Sequence, residues 1–222
     1  MKIGKYDYKI QWLETGIREP VSVDWVYFLE EYRRLVKKKD RVLEIGSSHP
    51  ARTKQLAESC RELIGLELMP ERKPKDFDNV KFKVGNWEKL SKTFPANSFD
   101  LIAVSEVLEH VEHDDVCLNE LYKALKPGGV AVLTTPNIRR VASRIEEVFM
   151  GKKKFPWFEH FREYTEAGLK ELIAKTPFRK YEIKPLGLGI TGWKLFMYMH
   201  PVPERFRGAC SFFLITLYKN KK

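Results

Sequence analysis

A doubly wound α/β fold, with a mostly parallel sheet covered by helices on both faces, is what this sequence predicts, on three observations. Short apolar or β-branched runs alternate with stretches of helical periodicity between residues 41 and 135. Three of those runs, 42–45, 101–104 and 130–133, show no polar alternation, as strands buried on both faces require. The 222 residues, 43% hydrophobic and 32% charged, make one well-buried globular domain rather than two.

The elements follow in order. Residues 23–36 (VDWVYFLEEYRRLV) space apolar groups at helical intervals. RVLEIG (41–46) is a β-branched run ending in Gly46, ARTKQLAES (51–59) is helical, and ELIGLE (62–67) is a strand. VKFKV (80–84) alternates, with Lys81 and Lys83 on one side, which suits an edge strand that must discourage further pairing. FDLIAV (99–104) is a strand. The helix at 114–126 opens on two Asp and closes on Lys126 before Pro127-Gly128-Gly129, matching the helix dipole and a sharp stop. VAVLTT (130–135) is the next strand. Beyond it come a helix near 138–149, a Gly-Lys-Lys-Lys stretch, a helix at 165–175, an extended segment at 179–186 and a final strand at 211–219. The aromatic-rich segment 189–206, punctuated by Pro and Gly, reads as a lid, a surface lying against lipid, or a cover over the sheet.

Charge is uneven. The net charge is +10, and residues 137–222 carry all of it, with 18 Lys/Arg against 8 Asp/Glu. Such a surface attracts phosphates of nucleic acid, of lipid headgroups or of a substrate, or is simply a solvated Lys-rich face. Cys60, Cys117 and Cys210 are far apart and odd in number, which argues against a disulfide framework or structural zinc and for a reducing compartment. The start MKIGKYDYKIQW has no apolar core of a secretory signal, and no apolar run approaches the ~20 residues of a spanning helix. A cytoplasmic location is the expectation.

The first strand–turn–helix unit, VLEIGSSHPARTKQLAE, places small residues (Gly46, Ser47, Ser48) where a nucleotide-like ligand meets a helix N-terminus in doubly wound sheets. Glu67 ends the next strand 21 residues after Gly46, the spacing of an acid that hydrogen-bonds ribose hydroxyls.

Here the chain resembles the class I S-adenosylmethionine-dependent methyltransferases, in their small-molecule O-methyltransferase-like branch, over about residues 40–175. VLEIG is similar to the first family motif, with Glu44 its acid and Gly46 its first glycine. LIGLELMP resembles the second, with Glu67 on the ribose, followed by Leu68. VGNWEKL puts Asn86 and Trp87 where the family contacts adenine. FPANSFDLIAVSEVLEHV followed by LKPGGVAVLTTPN is the sharpest match, and HFREYTEAGLKELI resembles a later segment. The resemblance implies a Rossmann-like seven-stranded sheet with an antiparallel C-terminal strand and S-adenosylmethionine as cofactor. Its implied contacts are Glu44, Gly46, Ser47, Ser48, Glu67, Leu68, Asn86, Trp87 and Ser105. It also implies one methyltransferase domain over 1–222: an N-terminal helical lid (1–40), a cofactor-binding core (41–136) and a basic acceptor-side segment (137–222). The sequence departs from the family's G-x-G-x-G at Gly46-Ser47-Ser48-His49-Pro50, where Pro50 suits a first helical turn, and Asn86 replaces an Asp.

The stretch Glu106–His113 follows a strand and therefore lies at the sheet's C-terminal edge. With a hydroxyl acceptor, methyl transfer requires proton removal, and His110 is the expected base, oriented by Glu109 or Glu106. E-x-x-E-H also resembles the metal-ligand spacing of ubiquinone-biosynthesis O-methyltransferases and small-RNA 2′-O-methyltransferases. His160, ahead of Tyr164-Thr165, completes that set, so the resemblance implies a divalent ion on Glu106, Glu109, His110 and His160. His49, His110, His113 and His160 all fall on connections leaving the C-terminal ends of strands. Trp12, Trp25, Tyr27, Phe28, Trp193, Phe196 and Tyr198 favour a partly apolar acceptor, small or lipid-linked, with peripheral membrane contact compatible with it. An RNA acceptor, on the basic C-terminal third, is the alternative, and a non-catalytic cofactor-binding subunit is the third reading.

Overall fold

The computed structural model describes residues 23–150, 160–192, 195–199 and 201–221. In chain order these form α1 (Val23–Leu35), β1 (Arg41–Ile45), α2 (Pro50–Ala57), β2 (Glu62–Glu67), β3 (Val80–Val84), α3 (Leu90–Thr93) and β4 (Phe99–Ser105). They continue as α4 (Asp114–Ala124), β5 (Leu125–Pro136), α5 (Val141–Met150), α6 (Glu166–Ala174), β6 (Lys180–Leu186), β7 (Leu188–Gly192), β8 (Leu195–Met199) and β9 (Phe212–Tyr218).

Seven strands make one sheet in the order β3-β2-β1-β4-β5-β9-β6. The pairs from β3 to β5 are parallel, and β9 is antiparallel to both β5 and β6. From β1 the chain winds outward through β2 to β3, then returns to the other side of β1 for β4 and β5. The order therefore reverses between β1 and β4, and the crevice beyond their C-terminal ends is where open α/β sheets bind ligands.

Both faces are covered, which explains the unbroken apolar runs. Along β1, Val42 joins a core with Phe28, Tyr32 and Leu56 from α1 and α2, while Leu43 joins the opposite core with Leu118, Leu121 and Ile173 from α4 and α6. Strand β3 lies at the sheet's edge, with Lys81 and Lys83 exposed and Phe82 buried, as the alternation predicts. Helix α1 is fixed by polar contacts as well: the Tyr32 hydroxyl donates to the Leu56 carbonyl at 2.9 Å, and buried Glu31 accepts from Arg34, Lys184 and Thr216.

Two boundaries differ from expectation. Helix α4 stops at Ala124, because Leu125 already has extended backbone and β5 begins there, ahead of the Pro127-Gly128-Gly129 turn. The 189–206 segment contributes a two-stranded hairpin, β7–β8, separate from the main sheet. Trp12, Gly151–Lys154, Trp193, His200 and the side chains of Phe196 and Tyr198 lie outside the described residues. Among the described residues, no helix is long and apolar enough to cross a membrane. The three cysteines are free and buried.

Gly65 tests how tightly β2 seats at this centre. A Cβ there would lie 2.6 Å from Phe82 Cδ1 and from Ser47 Oγ. Gly65→Ala is expected to destabilise the fold by about 1–3 kcal/mol through overpacking, read as a lower urea midpoint.

Candidate active site

The first half of the site grows from the end of β1. Gly46 is exposed and has φ +80°, a left-handed backbone that glycine adopts without penalty. Its amide donates to the Leu66 carbonyl at 3.0 Å, and the Ser47 amide donates to the same oxygen at 3.3 Å. The turn is thus tied to the end of β2, one residue from Glu67. A Cβ on Gly46 would lie 2.6 Å from Val107 Cγ2, so the turn also seats against the connection after β4. Glu67 is buried, and its Oε1 accepts from the Met69 amide at 3.1 Å. Leu68 beside it is 63% exposed, an apolar shelf next to the acid.

A cleft of about 310 Å³ opens alongside, lined by Trp25, Phe28, Glu44, His49, Arg52 and Ser105, with Ile45, Gly46 and Ala103 completing it. Arg52 stacks over the Trp25 ring at 5.0 Å, and the Trp25 indole donates to Gln55 at 3.0 Å. The carboxyl of Glu44 is buried with Oε2 lacking any hydrogen-bond partner, and burial pushes its pKa up to about 7 despite Thr53 and Arg52. Burial, then the charges of Arg52 and Arg72, push His49 down to about 4, so its imidazole is neutral. The hydroxyl of Ser47 is also buried without a partner.

Other expected contacts are placed as follows. Ser48 is half-buried in the turn, and the Ser105 hydroxyl accepts from Thr134 at 3.2 Å. The Asn86 side-chain oxygen caps the next turn by accepting from the Glu88 amide at 2.8 Å. Trp87 is 4% exposed and donates to the Cys117 carbonyl at 3.0 Å, so it anchors the core and keeps little surface for a ligand. Trp25 and Phe28, expected on the acceptor side, line the same cleft as Glu44 and Gly46. Arg52 was not foreseen; its position in the first turn of α2, just after the glycine turn, was the available signal.

The second half lies on the connection after β4. A short helical turn, Leu108–His110, carries buried Glu109 and exposed His110. Thr135 donates to Glu109 Oε2 at 3.1 Å, Oε1 has no partner, and burial pushes this carboxyl up to about 7. His160 arrives from the segment before α6, held by the Phe161 amide donating to the Glu109 carbonyl at 2.9 Å. The rings of His110 and His160 meet edge to face, 4.7 Å apart. One ligand atom from each of Glu109, His110 and His160 falls within 4.8 Å of the others. Glu106 is the correction: it is not in this group. It stands just ahead of the helical turn with φ +53°, a left-handed backbone, whereas Glu109 and His110 lie within that turn. His113 is exposed at the start of α4 and also lies apart.

Known proteins bear on this arrangement. A family model described as a methyltransferase domain matches residues 21–183. The mitochondrial ubiquinone biosynthesis O-methyltransferase of Mus musculus is 28% identical over 119 residues, covering 49% of this chain and 32% of that protein. The ubiquinone/menaquinone biosynthesis C-methyltransferase UbiE of Hydrogenovibrio crunogenus is 45% identical over 51 residues, 23% of this chain and 19% of that one. The chain thus spans a third or less of the length of these relatives. Among solved structures, YcgJ of Bacillus subtilis superposes with a TM-score of 0.62 at 17% identity, over 90% of this chain and 99% of that one, a likeness of fold. The chain belongs to the methyltransferase domain family, the class I S-adenosylmethionine-dependent methyltransferases.

The residues present fit that family's cofactor. The exposed Gly46 turn admits close backbone approach, and the Glu44 carboxyl that lines the cleft keeps an oxygen without a partner.

Glu44 also sets a pH dependence. Folded, it keeps its proton up to about pH 7; unfolded, it loses it near 4.5. The folded chain binds more protons between those values, so stability falls as pH rises through this window, by on the order of 3 kcal/mol for this group. Glu44→Gln is expected to flatten that fall, and urea midpoints at pH 5 and pH 8 for both proteins measure it.

Proposed function

We propose that this chain transfers a methyl group from S-adenosylmethionine to a hydroxyl oxygen of a small or lipid-linked acceptor. The observation that carries this reading is that two half-sites share one sheet edge: the Gly46 turn with Glu67, and the Glu109–His110–His160 cluster, joined where Val107 seats against Gly46. The names of the curated relatives tie those proteins to ubiquinone and menaquinone biosynthesis, which supports an acceptor of that kind here.

When bound, the cofactor supplies an electrophilic methyl group on a sulfonium centre, so the protein must contribute positioning and removal of the acceptor's proton. Glu67 accepts the ribose hydroxyls, with Leu68 as the shelf beside it. Gly46, Ser47 and Ser48 bring backbone close to the ligand, and Arg52 offers a positive charge at the cleft beside the buried Glu44 carboxyl. His110, exposed and facing His160, takes the proton, since imidazole accepts protons near neutral pH. A second reading rests on the same cluster: one carboxylate and two imidazoles within 4.8 Å suit Mg²⁺, Mn²⁺ or Zn²⁺. A cation held there would lower the proton affinity of the acceptor hydroxyl.

Titration calorimetry with S-adenosylmethionine should show saturable binding, and no heat at high micromolar ligand would overturn the proposal. Glu67→Ala is expected to weaken that binding by about 1.5–3 kcal/mol, the loss of a charged hydrogen-bond pair. His110→Ala should leave cofactor affinity intact and lower turnover by ~10²–10⁴ with a hydroxyl acceptor. Treatment with a chelator separates the two readings: unchanged turnover supports the metal-free base, and loss restored by one of the three cations supports the metal.

A further inference from the structure

Behind His160 lies a carboxylate that neither half-site uses. The side chain of Glu163 is fully buried. It grips Arg140 through two contacts, 2.5 Å to Nη1 and 3.2 Å to Nη2, and its Oε1 lies 2.8 Å from His160 Nδ1. Arg140 in turn donates to the Asn137 carbonyl at 3.0 Å. Asn137 is fixed at the end of β5: its amide donates to the Ser211 carbonyl at 3.0 Å and its side chain to the Cys210 carbonyl at 2.8 Å. The residue after Glu163 is pinned as well, since the Tyr164 hydroxyl donates to Asp114 at 2.9 Å. Glu163 therefore has no freedom to swing away from either partner.

The chemistry of the pair fixes a proton. Arg140, a permanent cation, donates to both oxygens of Glu163, so the carboxyl stands ionised as its ion-pair partner. An ionised carboxylate only accepts, so the hydrogen between Glu163 and His160 sits on Nδ1. A neutral imidazole protonated at Nδ1 carries its lone pair on Nε2, the one ring nitrogen left for Glu109 and His110.

We propose that Glu163, clamped by Arg140, is a positioning residue that locks His160 in the Nδ1–H tautomer with Nε2 turned toward Glu109 and His110. The proposal rests on the reading of that cluster as the acceptor-side centre, and it serves either version, because a proton acceptor and a cation ligand both need the Nε2 lone pair.

The experiment is a long-range ¹⁵N–¹H correlation spectrum of the ligand-free protein with labelled histidine at pH 8, His160 being assigned by its absence from His160→Gln. His160 should show a protonated Nδ1 and a bare Nε2. In Glu163→Gln, whose amide can donate as well as accept, the signals should move toward the Nε2–H form. Turnover should then fall ~10–100-fold, the usual effect of losing a ligand-orienting partner, with cofactor affinity within about twofold of wild type. Arg140→Lys, which keeps a cation beside Glu163, should retain the wild-type tautomer. A wild-type His160 protonated at Nε2 overturns the proposal, as does a Glu163→Gln protein with unchanged tautomer and turnover. If Glu163→Gln fails to fold, the wild-type spectrum still decides. That spectrum needs neither cofactor nor acceptor, so failure of the methyl-transfer reading, seen as no cofactor heat, is a separate result.

Discussion

The seat of Val107 against Gly46 is the contact on which the rest of the candidate site depends. Gly46 combines a left-handed backbone with the absence of a side chain, and any Cβ there would collide with the valine methyl at 2.6 Å. Val107 lies on the connection that carries Glu109 and His110, so the same contact that shapes the Gly46 turn also sets how far those side chains stand from it. Two amides from the turn, Gly46 and Ser47, converge on the Leu66 carbonyl and bring Glu67 to the same point. The pairing of Glu44 with Gly65 on one side and Ala103 on the other keeps the three strand ends in register. One position without a side chain thus holds together three loops that are distant in sequence.

Four buried carboxylates, Glu31, Glu44, Glu109 and Glu163, differ in what surrounds them. Glu31 is surrounded by Arg34, Lys184 and Thr216, and Glu163 by Arg140 and His160; both are held below the usual carboxylate range although burial opposes it. Glu44 and Glu109 each leave an oxygen without a partner, and burial raises both. An unsatisfied buried polar group costs about 1–3 kcal/mol, which a fold does not carry at random. Both uncompensated acids lie at the C-terminal edge of the central strands, one in the cleft and one in the acceptor cluster. Glu163 sits behind His160, and Glu31 lies away from the edge on α1.

The frame was legible in the sequence because it rests on patterns that burial imposes directly. Runs without alternation marked strands covered on both faces, paired lysines marked β3 as an edge, and the spacing from Gly46 to Glu67 placed an acid at the adjoining strand end. What was not legible depends on side-chain direction or on contacts between distant segments. Glu106 shares a motif with Glu109 and His110, but it stands outside their group, on a residue of positive φ ahead of the helical turn. Trp87 sits where the family contacts adenine, yet its indole finds the Cys117 carbonyl and becomes core. Trp25 and Phe28 read as acceptor aromatics, and the path of α1 over the sheet brings them into one cleft with Glu44 and Gly46. Glu163 is three residues from His160 but 23 from Arg140, and no periodicity connects that second pair.

The segments that carry Glu109, His110 and His160 are cross-tied to one another and to the end of β5. Tyr164 and Arg162 both bind Asp114, Phe161 binds the Glu109 backbone, and Asn137 ties the end of β5 to the segment before β9. These bonds fix Glu109, His110 and His160 relative to the Gly46 turn before any ligand arrives, which is what an in-line displacement governed by positioning requires. Strands β5 and β6 are both antiparallel to β9, so they run in the same direction, and Pro136 and Leu186 both pair with Phe212 at the edge that bears the site. Helix α5 and the β7–β8 hairpin therefore leave the sheet from that edge, outside the locked loops, and it is these elements that are free to differ without disturbing the chemistry beneath them.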